Sequence, residues 1–358
     1  MIRWPNLLPA EISFPAKRQR AGASPAAARL RRPQKNPAVA GSAAARRGFS
    51  PRPDNFASMI ARTGMQTNPW LLDRALGSFL GLAIGDALGA TVEFMTAREI
   101  AARYQVHREI IGGGWLRLKP GRVTDDTEMA LALGSALIAS NGWNLRAIAD
   151  AFVAWMRGGP VDIGNACRRG LSQYISSGTL GVPPAEENGG NGAAMRNLPT
   201  VLASLAGDEL LVQRSLEQAH LTHHHPQSDA ATVALARMTR RLLLEGGQAA
   251  CNQIADRLIA RQPAFGYKPW PGHTSGYIVH TVQTVFDGFF NTGSFEDCLV
   301  RVVNRGGDAD TTGALAGQLA GALYGVQGIP ARWLKKLDPK VTTAIYLQTQ
   351  KLLNLSAR

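Results

Sequence analysis

The sequence predicts an all-α fold in a single domain, on three observations. Apolar residues recur with helical period through segment after segment, and alternating strand patterns are scarce. Glycine falls at steps of four in two separate apolar runs, as Gly77, Gly81, Gly85 and Gly89 and as Gly313, Gly317, Gly321 and Gly325. Glycine costs about 1 kcal/mol per site against alanine inside a helix, so a smooth four-glycine face implies compensation from close backbone approach.

Taken in chain order, the helical patterns cover 70–90, which carries the first glycine face, then 96–106 and 126–140, the latter led in by Thr124-Asp125-Asp126-Thr127-Glu128. Next come 144–157 and 163–176, the second starting just after Asp162, and 194–205, which follows the glycine-rich stretch from Asn188. The patterns 208–221, 227–245 and 248–260 precede 275–290, which contains Tyr277. The series closes with 295–304, 311–325, which carries the second glycine face, and 340–354. Loops rich in Gly, Pro and Asn join them. A membrane reading of the two glycine runs is disfavoured, because Asp86 lies near the middle of one, Gln318 lies within the other, and neither reaches ~20 uninterrupted apolar residues.

The chain has 358 residues, 45% hydrophobic and 18% charged, the balance of a soluble globular protein. Its net charge of +13 invites a nucleic-acid partner, but residues 1–65 alone carry +10, from twelve Lys and Arg against Glu11 and Asp54. The remainder is nearly neutral and lacks the basic, aromatic-interleaved patch of single-strand binders, so no specific nucleic-acid partner is expected. Residues 1–65, rich in Ala, Arg and Pro, are expected to be a disordered extension or an over-long start, with Met65 an alternative start and 66–358 the folded domain. Three widely spaced cysteines, Cys167, Cys251 and Cys298, form neither a disulfide framework nor a zinc pattern and read as reduced cytoplasmic thiols.

Two acidic motifs carry the chemistry: Thr124-Asp125-Asp126-Thr127-Glu128, and Asp308-Ala309-Asp310-Thr311-Thr312. Each leads into a small, apolar, helix-like run. Carboxylates and hydroxyls are hard oxygen ligands for Mg²⁺ or Mn²⁺, and one such loop rarely supplies enough of them for two ions, so the pair reads as one two-metal site assembled by folding. Gly306 and Gly307 allow the turn before the second motif. The competing interpretation is that Asp and Thr are ordinary helix caps, with Thr124, and Thr311 or Thr312, in that role.

Five stretches, in this order, resemble the ADP-ribosylglycohydrolase family: Gly81-Leu-Ala-Ile-Gly-Asp-Ala-Leu-Gly-Ala-Thr-Val-Glu93, Val123 to Thr127, Pro160-Val-Asp-Ile-Gly164, Gly192-Ala-Ala-Met-Arg196 and Asn304-Arg-Gly-Gly-Asp-Ala-Asp-Thr-Thr-Gly313. The resemblance covers about residues 70–340 and implies the family's compact helical fold around a central two-metal site. Gly112-Gly-Gly-Trp-Leu-Arg-Leu-Lys-Pro120 and Cys167-Arg-Arg-Gly170 are similar to its bacterial branch acting on ADP-ribosylated dinitrogenase reductase. That implies hydrolysis of the N-glycosidic bond between ADP-ribose and an arginine, with nitrogen-regulatory signalling proteins as partners. The alternatives are a non-catalytic ADP-ribose-binding protein of the same fold, a hydrolase of another ADP-ribosyl linkage, or a two-metal phosphohydrolase.

The resemblance implies Thr124, Asp125, Asp126, Asp308, Asp310 and Thr311 as ligands of two Mn²⁺ or Mg²⁺ ions, and Glu93 and Asp162 as catalytic carboxylates. A surface glutamate and a simple N-cap are the plain alternatives for those two. Asn165 assists or merely packs. Backbone N–H groups around Gly190 and Gly192, with Met195, suit a diphosphate. Arg196 is a phosphate partner or a surface arginine, Tyr277 stacks on adenine or belongs to the core, and His223 contacts substrate, while His224 and His225 are expected to face solvent.

Overall fold

A computed structural model describes residues 68–356. The expected extension over 1–65 and the alternative start at Met65 lie outside these residues. Among those described, every regular element is a helix, and pairing between extended residues is confined to three isolated bridges.

Helix α1 (Pro69–Gly89) begins where the Asn68 side chain accepts from the Trp70 amide, with a proline in the first turn, and is buried along most of its length. Helix α12 (Ala309–Tyr324) runs antiparallel against it. The glycine faces meet: a Cβ on Gly81 would sit 2.1 Å from the Gly317 carbonyl oxygen, and one on Gly317 would sit 2.0 Å from that of Gly81. The same reciprocal contact joins Gly77 with Gly321 and Gly85 with Gly313, while Gly89 meets Ala309. Backbones thus touch directly, which compensates the low helix propensity of glycine. Ser78 Oγ adds a hydrogen bond to the Gln318 carbonyl at 2.9 Å.

Around this pair pack α3 (Asp125–Ala139), α8 (Pro226–Leu244), α10 (Ile278–Phe290), α11 (Phe295–Val303) and α14 (Pro339–Ser356). Outside them lie α4 (Leu145–Arg157), α5 (Asn165–Ser177), α7 (Asp208–His220) and α9 (Ala249–Arg261), each against an inner or neighbouring helix. Gln318, one of the polar residues that argued against a membrane helix, donates to Thr239 of α8 at 2.8 Å. No described helix is long and apolar enough to cross a membrane.

Most helices fall within three residues of their expected bounds; the differences have local causes. The pattern at 194–205 yields only α6 (Leu198–Leu202), because Pro199 lacks the N–H needed to continue a helix from before it, and the preceding residues close as turns on the Asn191 carbonyl. Gly325 lies just past the end of α12, with φ of 68°, yet it continues the glycine face, since a Cβ on Gly77 would sit 2.6 Å from its carbonyl carbon. The short helices α2 (Ala97–Tyr104) and α13 (Ala331–Leu334) complete the set, the latter unforeseen in the sequence. All three cysteines are buried and unpaired.

Gly317→Ala should destabilise the protein by about 3 kcal/mol or more in urea unfolding, since its methyl group meets backbone that cannot move aside. Gly293→Ala, at a position with open space around it, should change stability by no more than about 0.5 kcal/mol.

Candidate active site

Because α1 and α12 are antiparallel, the end of α1 lies beside the start of α12, and α3 begins at the same place. Asp86 makes the junction. It is fully buried on α1, and its carboxylate accepts from the Thr124 amide at 3.0 Å, the Thr124 hydroxyl at 2.9 Å, the Thr127 amide at 3.2 Å and the Thr127 hydroxyl at 2.5 Å. One side chain thereby fixes the first turn of α3. Asp86 was not among the expected site residues, although an aspartate inside a four-glycine apolar run is itself a signal.

So held, Thr124 does not cap α3 through its side chain; its hydroxyl instead lies 3.4 Å from Asp126 Oδ2 and 3.5 Å from Asp310 Oδ2. Thr311 Oγ1 reaches the same Asp126 oxygen at 3.4 Å. The two acidic motifs therefore converge. They sit astride helix starts rather than on loops: Asp125 and Asp126 open α3, while Asp308 precedes α12 and Asp310 lies in its first turn, where the helix dipole favours negative charge. Neither Thr311 nor Thr312 caps, since both already lie inside α12.

Glu93, Asp308 and Asp310 offer carboxylate oxygens within 4.8 Å of one another, a group able to hold a metal ion. Glu93 is buried rather than on the surface, and the Trp115 indole donates to it at 2.6 Å. Asp308 accepts from Asn191, which also bonds Thr281. Asp162 is half-buried and does not cap α5, whose N-cap is Gly164; its carboxylate accepts from its neighbour's amide at 2.8 Å and bears electrostatically on Glu93, Asp125 and Asp308. Asp125 accepts from the Gly164 amide at 3.2 Å, tying the Asp162 loop to α3.

Burial and mutual repulsion raise the carboxyls of Glu93, Asp125, Asp126, Asp308 and Asp310. Burial first and then neighbouring carboxylates push Glu93 up to about 8 and Asp125 up to about 7, and lift Asp126 and Asp310 well above the usual range. Asp126 Oδ1 is buried with no hydrogen-bond partner. Crowded carboxylates and an orphaned acceptor are the surroundings a hard divalent cation requires, so the residues fit a metal.

Beside the carboxylates, the stretch 188–192 lies against the residues before α10. The Gly189 carbonyl accepts from Ile278 N, and Asn191 N donates to the Gly276 carbonyl. Tyr277 is 38% exposed, with its hydroxyl bonded to Gln227, so it is not a core residue. His223 is buried against Gly190 and Gly192, with Nδ1 2.7 Å from the Thr222 hydroxyl; burial, then Arg196 and Arg169, lower it to about 3 and keep it neutral. Met195 is buried and Asn165, the first residue of α5, is exposed.

Two expectations are corrected. Arg196 is neither a phosphate partner nor a surface arginine: it is wholly buried, stacks over Phe152 at 4.7 Å, and donates to Gln218, Thr222 and Cys167. Nor does His225 face solvent, and His224 is half-buried rather than fully exposed. His224 stacks on His220 at 3.8 Å, and His225 is buried and caps α8 by accepting from Gln227 N.

Phe94, next to Glu93, has φ of 62°, a left-handed conformation rare for a bulky residue, with its amide donating to the Gly307 carbonyl at 2.7 Å. Its ring lies 5.3 Å from that of Trp115. Neither ring was an expected site residue, and only the Gly-Gly-Gly-Trp run hinted at one.

The family model described as ADP-ribosylglycohydrolase matches residues 67–357. The chain is 53% identical over 290 residues to the ADP-ribosyl-[dinitrogen reductase] glycohydrolase of Rhodospirillum rubrum, covering 81% of this chain and 99% of that one. It is 34% identical to the ADP-ribosylarginine hydrolase Tri1 of Serratia proteamaculans, covering 74% and 75%. A solved structure titled ADP-ribosylglycohydrolase-related protein complex superposes with a TM-score of 0.71 at 35% identity, over 80% of this chain and 99% of that one.

Carboxyls raised in the folded state bind protons that the unfolded chain releases near pH 4, so metal-free protein should be most stable below that range and lose stability as pH rises through about 7 and 8, where Asp125 and Glu93 ionise. In chelator, the Tm should fall from pH 5 to pH 8, and Mn²⁺ should restore most at the upper end. A Tm that climbs across that range in chelator would contradict the electrostatics.

Proposed function

Since the chain belongs to the ADP-ribosylglycohydrolase family, we propose that it hydrolyses the N-glycosidic bond between ADP-ribose and an arginine side chain. The observation that carries this reading is the convergence of Thr124, Asp126, Asp310 and Thr311 from two distant motifs onto one buried point, in a chain similar over nearly the whole domain to an ADP-ribosyl-[dinitrogen reductase] glycohydrolase and to an ADP-ribosylarginine hydrolase.

In this reading Thr124, Asp125, Asp126, Asp308, Asp310 and Thr311 hold two divalent ions, Mn²⁺ or Mg²⁺. The geometry admits Glu93 beside them. Bound ions supply positive charge that polarises ribose oxygens and acidifies water. Asp308 is oriented by Asn191 and Glu93 by Trp115, so both arrive at the substrate with fixed directions. Water adds to the anomeric carbon, a proton passes to Glu93 or Asp162, and the C–N bonding pair leaves on the guanidine nitrogen, which is reprotonated. Nearby carboxylates stabilise the oxocarbenium-like charge that develops on the sugar.

The backbone of Gly190 and Gly192, with neutral His223 behind it, receives the diphosphate, and the exposed face of Tyr277 receives the adenine. Met195 and Asn165 line the approach. Arg196 serves instead to hold Thr222 and hence His223. By likeness to the Rhodospirillum rubrum enzyme, the target is ADP-ribosylated dinitrogenase reductase; a cytoplasmic setting and nitrogen-regulatory signalling partners complete the proposal.

With Mn²⁺ present, the protein should release ADP-ribose from an arginine-ADP-ribosylated protein, and chelator or Asp310→Ala should lower that release at least a hundredfold. Release that persists in Asp310→Ala, or wild type that binds ADP-ribose yet releases none, would refute the hydrolase.

A further inference from the structure

The carboxylate cluster is gripped from two sides. Asn191, in the glycine-rich stretch beside Tyr277, donates to Asp308, while Trp115 donates to Glu93. If the nucleotide half of the substrate takes the glycine side, as in the function proposed above, the other half of the substrate leaves toward Trp115 and Phe94.

Those two residues break ordinary rules. Phe94 is 65% exposed and Trp115 51% exposed, although large aromatic rings are normally buried, and Phe94 adopts a left-handed backbone that Asn or Gly would adopt more easily. Both are held in place. Gly113 and Leu118 exchange two backbone hydrogen bonds below Trp115, and Gly114 presses on the Ala90 carbonyl so closely that a Cβ there would sit 2.3 Å from it. The rings meet at 5.3 Å with 47° between their planes.

We infer that Phe94 and Trp115 form an aromatic seat for the guanidinium of the modified arginine, the leaving group of the reaction. A planar cation stacks on aromatic faces, and the adjacent carboxylates add the complementary charge. The seat selects arginine-linked ADP-ribose over linkages whose aglycone is neutral and non-planar. Trp115 has a second role as a positioning residue, because the indole that forms part of the seat also orients Glu93.

The test separates these roles. Phe94→Asn suits the left-handed backbone and removes the ring, so the protein should fold. Kd values for ADP-ribose and for ADP-ribosyl-agmatine are measured in chelator, where turnover stops. Wild type should prefer ADP-ribosyl-agmatine by about tenfold, the scale of a cation–π contact, and Phe94→Asn should abolish that preference while leaving the Kd for ADP-ribose unchanged. With Mn²⁺ and an arginine-ADP-ribosylated protein, Phe94→Asn should raise KM about tenfold, whereas Trp115→Phe, which keeps a ring and loses the N–H, should lower kcat and spare KM. A preference equal in wild type and Phe94→Asn would overturn the seat, and so would a wild type that binds both ligands alike. Failure of the hydrolase reading would show separately, as no turnover by wild type with Mn²⁺, and the binding preference would still decide the seat.

Discussion

The direct backbone contact between α1 and α12 is the constraint from which the rest of the structure follows. Gly77, Gly81, Gly85 and Gly89 lie against Gly321, Gly317, Gly313 and Ala309 with no side chain between. That closeness sets the register of two antiparallel helices, and the register sets which residues meet at their ends. A slide of one turn would carry Asp310 about 5.4 Å from Thr124 and dissolve the cluster. Glycine here does the work of alignment, and interior packing, which yields little when backbone meets backbone, makes the alignment stiff.

A stiff frame is needed because the site stores electrostatic energy. Six carboxylates, Asp86, Glu93, Asp125, Asp126, Asp308 and Asp310, are drawn out of water with no arginine or lysine paired to any of them among the described hydrogen bonds and ion pairs. Asp86 is the exception in kind. Burial pushes it up to about 6, but four hydrogen bonds from Thr124 and Thr127 engage it inward, so it acts as a structural anchor. The others face one another. Divalent cations answer that crowding, and the same burial that makes it costly strengthens any cation's hold on the site.

The fold was legible because its signals are local and repeated. Helical periodicity and the four-residue glycine spacing require no knowledge of distant contacts, and the acidic motifs announce themselves by ligand chemistry. Less legible were roles decided by a partner far along the chain. Arg196 looks like a phosphate ligand until Gln218 and Thr222 are seen to enclose it, and His225 looks exposed until its place at the start of α8 is known. Asp86 and Trp115 illustrate the reverse case: each stands out in sequence only as an oddity, and acquires meaning when Thr124 and Glu93 are brought to it. Pro199 marks the start of α6 only because a helix from before it cannot continue through it, a limit that the apolar pattern across 194–205 does not carry.

The central claim is that packed glycine helices bring two acidic motifs together as one cation site, and Mn²⁺ titration followed by electron paramagnetic resonance tests it most directly. Free Mn²⁺ gives a sharp six-line spectrum that broadens away on binding. Metal-stripped protein should suppress that spectrum up to two equivalents per chain, and Asp310→Ala should leave most of it visible from the first addition. A full six-line spectrum at one equivalent of wild-type protein would contradict the account.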